Sequence, residues 1–286
     1  MNRPADPELP PQADRLRPLR SLAPQRLAGL RGLLTDIDDT LTRDGTIEPV
    51  ALAALHSLAA AAVPVIAITG RPAGWSLPMV QAWPVAAIVA ENGAVLLRQG
   101  PGGLRQDFAA DAATRAAQAL RLQACARAVL AQVPGARLAQ DSAGRLTDIA
   151  IDHSEFTRLP QAAIAAVVAL MQQHGLTATV SSIHVNGWIG GHDKLSGARW
   201  AVEQALGLPW QPQDWAYLGD SANDQRMFQA LPLSVGVANI APWVPALRWL
   251  PAFVTEAERG AGFAELADAL LAARAAAAAL TSPGNG

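Results

Sequence analysis

The sequence contains a single cysteine, Cys125, among its 286 residues. One thiol cannot form an intrachain disulfide, which favours a reducing compartment, and its alanine-rich surroundings favour a packed side chain over a reactive one. Charge is also scarce, since only 16% of the residues are Asp, Glu, Lys or Arg and the formal net charge is -2. Without a basic excess there is little electrostatic attraction for nucleic acid, so we expect neither DNA nor RNA as a partner.

Three long stretches, residues 49–70, 72–90 and 159–192, contain no charged side chain. Their length would suit a membrane span, but prolines interrupt the first two and a Gln-Gln-His segment interrupts the third. We therefore expect core elements of a soluble protein and no membrane partner. No apolar signal-like segment is found near the start, where residues 1–28 are rich in Pro and Arg, so we predict a disordered tail and a cytoplasmic location.

The stretch around which the chain is organised is a short apolar run, residues 32–35, that ends at three carboxylates and a hydroxyl: Asp36, Asp38, Asp39 and Thr40. Carboxylates packed this closely repel one another and resist burial unless a cation or hydrogen-bond donors compensate them. In open α/β sheets, ligands bind beyond the carboxyl ends of the strands. The stretch therefore suggests a divalent-cation site, with an ordinary polar turn as the alternative.

The residues that follow predict a parallel strand–helix–strand unit. A helical pattern over residues 49–62 leads to an apolar run over 63–68, which ends at Thr69. Such crossovers are right-handed and place both strand ends at the same edge of the sheet, so Thr69 can approach Asp36. Further apolar runs continue this pattern, at residues 85–90, 215–218, 233–237 and 252–254.

Between these parts the pattern changes to two helices with about three strands, which indicates an inserted module. We predict an α/β fold: a doubly wound (Rossmann-like), mostly parallel sheet core with an inserted α+β cap domain. The predicted boundaries are a core of residues 29–100 and 190–275, a cap of residues 101–189 and a flexible tail of residues 276–286.

Lys194 at a predicted helix start and the carboxylates Asp220 and Asp224 complete a set of polar groups with Asp36 and Thr69. Taken singly, each has an ordinary interpretation as a turn residue, a solvated lysine or a helix cap. At one edge of one sheet, they form a plausible site for a phosphomonoester.

These motifs resemble those of the haloacid dehalogenase superfamily of phosphohydrolases. Its Asp-x-Asp-x-Thr motif matches residues 36–40, its Thr-Gly-Arg form matches 69–71, its lysine matches Lys194 and its Gly-Asp-x-x-Asn-Asp motif matches 219–224. The Thr-Gly-Arg form and the segment at 91–94 are similar to the subfamily with a large α/β cap, a sugar-phosphatase-like group. Asp39, where many members have Gly, is a departure without an explanation in the sequence.

The resemblance implies a role for each matched residue. Asp36 would be the nucleophile, Asp38 the proton donor and acceptor, and Thr69 and Lys194 would hold the phosphoryl group. Mg²⁺ would be bound at Asp36, Asp38 (through its carbonyl), Asp220 and Asp224. Other residues expected to bind phosphate or substrate are Gly70, Arg71 and Asn223.

The expected activity is hydrolysis of a small phosphorylated metabolite, with a sugar phosphate favoured, by a monomer or homodimer. A hexose-phosphate phosphomutase is the alternative within the family, and a phosphoaspartate signalling receiver is a remote one. Arg71 could reach an anionic group of the substrate or pair with Glu91. We expect His153, His184 and His192 to belong to a polar cap surface rather than a metal site, because their spacing shows no ligand pattern. Asn186 and Trp188 could face the substrate, although a core position is more typical of tryptophan.

Overall fold

The computed structural model describes residues 16–281. The strands of this range are β1 (Arg17–Pro18), β2 (Gly32–Thr35), β3 (Thr42–Arg43), β4 (Thr46–Ile47), β5 (Val65–Ile68), β6 (Ala87–Ala90), β7 (Val95–Gly100), β8 (Gly103–Phe108), β9 (Arg137–Leu138), β10 (Asp148–Asp152), β11 (Thr177–Val180), β12 (His184–Trp188), β13 (Trp215–Gly219), β14 (Leu233–Gly236) and β15 (Phe253–Val254). The helices are α1 (Pro24–Ala28), α2 (Pro49–Ala60), α3 (Ala73–Ala82), α4 (Ala112–Gln132), α5 (Gln161–Gln173), α6 (Lys194–Ala205), α7 (Gln225–Ala230) and α8 (Arg259–Thr281).

The larger domain is built on a sheet with the strand order β1-β15-β14-β13-β2-β5-β6-β7-β8. The first seven strands in this order, from β1 through β15 and β2 to β6, are all parallel to their neighbours. The pairs β6–β7 and β7–β8 are antiparallel. Helices α1, α2, α3 and α8 pack on one face of this sheet, and α6 and α7 pack on the other. Strands buried on both faces are accordingly rich in apolar residues: β5 is apolar along its whole length, and β2 is apolar up to Thr35. The predicted doubly wound fold is confirmed.

The cap is a four-stranded antiparallel sheet of order β11-β12-β10-β9, with α4 and α5 packed on one face. Side chains alternate between the two faces of a strand. Ile151 and Val185 therefore join the apolar cluster with α4 and α5, whereas Asp148 and Asn186 contact the loops of the core domain. The face of the cap that meets the core is thus its polar face.

Three predicted boundaries differ from the structure. Strand β8 pairs with β7 and extends the core sheet, so the cap begins after Phe108 rather than at residue 101. Residues 16–28 are not a disordered tail: β1 pairs with β15, and Leu19, Leu22 and Leu27 are buried in the core. The few apolar residues of this segment are spaced irregularly among Pro and Arg, so the sequence shows no helical or strand period. These side chains nevertheless pack against the core.

At the other end, helix α8 continues to Thr281, so residues 276–281 are helical rather than a flexible tail. Residues 1–15 and 282–286, to which the tail predictions also apply, lie outside the described residues. None of the described helices is both long enough and apolar enough to cross a membrane.

Candidate active site

The polar residues predicted from the sequence meet at the carboxyl ends of the parallel strands. Asp36 follows β2, Thr69 follows β5 and Asp220 follows β13. Lys194 opens helix α6, whose start is held by a reciprocal capping box between Asp193 and Ser196. The parallel order of β13, β2 and β5 makes these strand ends neighbours, which is why distant sequence segments form one site.

Lys194 links the acidic groups of this site. Its Nζ donates hydrogen bonds to Asp36 Oδ1 at 2.8 Å and to Asp224 Oδ1 at 2.7 Å, and to Asn223 Oδ1 at 3.3 Å. Only 3% of the Lys194 side chain is exposed. A buried ammonium needs such partners, so Lys194 holds the Asp36 carboxylate in one orientation.

Asp224 is held from several sides. Besides Lys194, its Oδ1 accepts a 2.5 Å hydrogen bond from Tyr217, and its Oδ2 accepts bonds from the backbone N–H groups of Asp220 and Ser221 at 2.9 and 3.1 Å. A Cβ at Gly219 would lie 2.4 Å from Asp224 Oδ2, so only glycine fits at the end of β13. Asp224 therefore positions Lys194 and the Asp220 turn.

Asp36, Asp220 and Asp224 form a buried carboxylate cluster in which one oxygen from each lies within 4.8 Å of the others. Burial, together with the carboxylates of Asp224 and Asp38, raises the pKa of Asp36 to about 7, although Lys194 opposes this shift. Burial and the nearby Asp36 likewise raise the pKa of Asp220 well above its ordinary value. Burial opposes the charge of Lys194, but Asp224 and Asp36 raise the pKa of that ammonium.

The donor set of this cluster fits a hard divalent cation. Asp220 Oδ1 is buried and has no hydrogen-bond partner among the described residues, which would be costly unless a cation were bound there. One lysine cannot neutralise three buried carboxylates, and carboxylate oxygens are the ligands that Mg²⁺ prefers. Both oxygens of Asp224 accept hydrogen bonds from other groups. Asp36 and Asp220 accept fewer hydrogen bonds on their carboxylates, so these two residues would hold the ion.

The turn after β5 carries the groups predicted to bind phosphate. Thr69 is fully buried and its Oγ1 accepts a hydrogen bond from the backbone N–H of Arg71 at 2.9 Å, which leaves its own hydroxyl proton to donate. The Gly70 carbonyl accepts bonds from the cap residues Arg145 and Asn186 at 2.9 and 3.1 Å. This turn thus lies at the junction of the core and the cap.

Arg71 contacts three carboxylates of the chain. Its Nε donates to both oxygens of Asp38 at 3.0 and 3.1 Å, and its terminal nitrogens reach Glu155 Oε1 at 2.7 Å and Asp141 Oδ2 at 3.3 Å. Pairing with Glu91, one of the two alternatives that the sequence left open for Arg71, is not found among its side-chain contacts. The charged group bonded directly to Asp38 is therefore a guanidinium.

Glu91 instead fastens the cap to the core. Its carboxylate accepts hydrogen bonds from the backbone N–H groups of Ala73, Leu146 and Thr147, and from the Thr147 hydroxyl. Burial and the neighbouring Asp148 raise its pKa to about 7. Leu146 and Thr147 belong to the cap, so a core carboxylate fixes the start of strand β10.

The three histidines are less exposed than predicted. His153 and His184 are buried and bond to the Ser181 carbonyl and to Glu155 Oε2, at 3.0 and 2.9 Å, and His192 stacks on Trp188. The prediction of a polar cap surface is therefore wrong for His153 and His184, which are buried, whereas His192 is half-buried. Trp188 is buried, as expected for a core residue.

Asp39 has a structural role that the sequence did not reveal. It adopts a left-handed backbone conformation (φ 55°), its Oδ1 accepts a 2.8 Å hydrogen bond from Arg259, and its carbonyl accepts one from Asn239 at 2.9 Å. Aspartate tolerates this conformation better than most side chains. Asp39 is therefore a turn residue that ties the loop after β2 to the start of α8.

Sequence reasoning missed several residues of the site, namely Tyr217, Asp141, Arg145, Asp148, Glu155 and the pairing role of His184. Only Tyr217 had a usable signal, because a tyrosine in a fully buried strand requires a hydrogen-bond partner. The others lie on cap segments whose distance from the core loops depends on how the two domains pack.

Comparison with known proteins agrees with these motifs. Residues 33–132 match the haloacid dehalogenase-like hydrolase family, a range that includes Asp36, Asp38 and Thr69. The fold resembles that of a HAD/COF-like hydrolase from Plasmodium vivax, with a TM-score of 0.63 and 15% identity over 87% of this chain and 99% of the other. Over residues 33–132 the chain is therefore similar to the haloacid dehalogenase-like hydrolases.

Two other solved structures have a similar fold. Protein 0175 of Thermoplasma acidophilum has a TM-score of 0.64 at 18% identity, covering 85% of this chain and 98% of its own. The sucrose-phosphatase of Synechocystis sp. PCC6803, in complex with sucrose and phosphate, has a TM-score of 0.60 at 15% identity, covering 84% and 98%. No curated protein sequence matches the chain. The match of residues 33–132 to a hydrolase family confirms the predicted resemblance and supports a hydrolytic enzyme over the signalling receiver.

Proposed function

We propose that this hydrolase is a Mg²⁺-dependent phosphatase that removes the phosphoryl group of a small phosphorylated metabolite, a sugar phosphate in our hypothesis. The observation that carries the proposal is the contact of Lys194 Nζ with Asp36 Oδ1, at 2.8 Å, beside the buried carboxylate cluster. A carboxylate nucleophile next to fixed positive charge suits phosphoryl transfer, where catalysis depends on positioning and electrostatics. The similar fold of a sucrose-phosphatase supports a phosphate ester as the substrate.

The proposed reaction has two steps. An oxygen of Asp36 attacks phosphorus to form an aspartyl-phosphate as the bond to the leaving oxygen breaks, and Asp38 gives that oxygen a proton. Water then attacks phosphorus, Asp38 takes a proton from it, and the bond to Asp36 breaks. Thr69 and the backbone N–H that follows it hold the non-bridging oxygens, and Lys194 offsets their negative charge. Bound Mg²⁺ would supply further charge stabilisation at Asp36 and Asp220.

The substitution Asp36→Asn tests this proposal. We expect it to lower phosphate release from a panel of sugar phosphates roughly 10⁴-fold, because an amide is not a competent nucleophile. The matched control is Asp268→Asn, at an exposed position of α8, which should keep wild-type activity. Wild-type activity should also disappear when EDTA removes Mg²⁺. Full activity of the Asp36→Asn variant would refute the mechanism.

A further inference from the structure

The guanidinium of Arg71 is fully occupied by carboxylates of the chain itself. Only 5% of its side chain is exposed, and Asp38, Asp141 and Glu155 together engage all three of its nitrogens. Asp141 and Glu155 come from the cap, whereas Asp38 comes from the loop after β2. No nitrogen of Arg71 is thus left to bind an anionic group of a substrate.

Glu155 is held in place independently of any ligand. The buried carboxylate of Asp152 accepts hydrogen bonds from the backbone N–H groups of Ser154, Glu155 and Phe156, at 3.1, 2.9 and 2.9 Å. Nε2 of the buried His184 lies 2.9 Å from Glu155 Oε2. Hydrogen bonds from His184 and Arg71 outweigh the effect of burial and lower the pKa of Glu155 to about 2, so this carboxylate is ionised.

A cavity of about 270 Å³ lies between Asp38 and this cap loop. Its charged lining residues are the four carboxylates of Asp38, Asp39, Asp44 and Glu155 and the two guanidiniums of Arg71 and Arg259. Arg259 is already bonded to Asp39 at 2.8 Å and to Glu258 at 3.0 Å. A second anionic group of a substrate would therefore meet excess negative charge and two cations that are already paired.

We propose that Glu155 is a specificity-determining residue. Its carboxylate binds the guanidinium of Arg71 from the cap side, so the cavity accepts only phosphate esters whose leaving group is uncharged. The inference rests on the proposed phosphatase function and refines its substrate class. The cavity is smaller than the roughly 300–1,000 Å³ typical of ligand pockets, so the leaving group is a single ring or a short polyol. Rejection of anionic leaving groups follows from a repulsive group built into the site.

The experiment compares kcat/KM for glucose 6-phosphate with that for 6-phosphogluconate, which carries a carboxylate at the far end of the same carbon chain. The kcat/KM of the wild type should be at least about tenfold higher for glucose 6-phosphate, because one hydrogen bond to a charged group changes binding by about this factor. Glu155→Gln keeps the shape of the side chain but removes its charge. We expect this variant to shift the ratio toward 6-phosphogluconate by about 10- to 100-fold.

Two further variants make the test specific. Glu203→Gln, at an exposed ion pair with Arg199, should leave the ratio unchanged. Asp44→Asn removes a lining carboxylate that is not one of the three holding Arg71, so its shift should be smaller than that of Glu155→Gln. Thermal unfolding of each variant verifies that the fold is intact.

The outcomes separate this inference from the proposed function. Equal use of both substrates by the wild type, or an unchanged ratio in folded Glu155→Gln, would overturn the role of Glu155 and leave the phosphatase proposal standing. Failure to release phosphate from p-nitrophenyl phosphate and both sugar phosphates would overturn the phosphatase function and this inference with it. If Glu155→Gln fails to fold, equal use of both substrates by the wild type would still overturn the inference.

Discussion

Replacing Asp220 by Asn should stabilise the metal-free protein and abolish its stabilisation by Mg²⁺. Asp220 lies within 4.8 Å of the Asp36 and Asp224 carboxylates and its Oδ1 has no partner among the described residues. Two like charges at that distance repel by about 3 kcal/mol at an effective dielectric constant of about 20. Burial and the nearby Asp36 disfavour the ionised form of Asp220 and raise its pKa well above its ordinary value, so we expect a gain of about 1–3 kcal/mol in EDTA at pH 8.

The dependence on pH follows from the raised pKa values. Asp36, with a folded-state pKa of about 7, and Asp220 both bind protons more tightly in the folded, metal-free protein than in the unfolded chain. The contribution of Asp36 to stability is therefore fully present below about pH 4 and is lost as the pH rises through about 7, and the contribution of Asp220 also falls as the pH rises. The metal-free Asp220→Asn variant should show a shallower loss of stability over this range.

Thermal unfolding in EDTA and in Mg²⁺, at pH 5.5 and pH 8, measures both effects. At a Mg²⁺ concentration of about 100 Kd, the wild type should gain about 2.7 kcal/mol, seen as a rise in Tm, whereas Asp220→Asn should gain almost nothing. The exposed Asp268→Asn should behave as wild type. An equal rise in Tm with Mg²⁺ for Asp220→Asn and the wild type, or lower stability of this variant in EDTA at pH 8, would refute the role of Asp220 as a metal ligand under repulsion.

Two further predictions concern groups that position the site. In Glu91→Ala, N–H groups of the cap lose their hydrogen-bond acceptor, at a cost of about 1–3 kcal/mol each. Amide hydrogen exchange at Leu146 should therefore accelerate, while exchange in β2 stays slow. Equal acceleration in β2 would show that the substitution destabilises the whole fold instead. In Gly219→Ala, the new Cβ would lie 2.4 Å from Asp224 Oδ2 and displace that carboxylate, so kcat should fall roughly 10²-fold. Gly102→Ala, where a Cβ meets nothing within 4 Å, is the control, and comparable activity of the two alanine variants would contradict the proposed packing.

The sequence alone was sufficient for the features that depend on local pattern and on the rules of parallel sheets. Apolar runs that end in polar residues placed Asp36, Thr69 and Asp220 at strand ends, and right-handed crossovers implied a common edge. Lys194 was recognised with them because its motif precedes a helix. These residues do converge, since the strands that carry them are neighbours in the sheet.

The packing of the cap against the core decided the rest. Asp141 and Glu155 bind Arg71, although they are about seventy residues or more from it in the chain. A local sequence pattern does not predict the distance between such segments, so the sequence could not show whether Arg71 is free to bind a substrate. The burial of His184 has the same origin, because it is the core that covers the polar face of the cap. The carboxylates around Asp36 could thus be predicted from the sequence, whereas the groups that surround Arg71 required the tertiary structure.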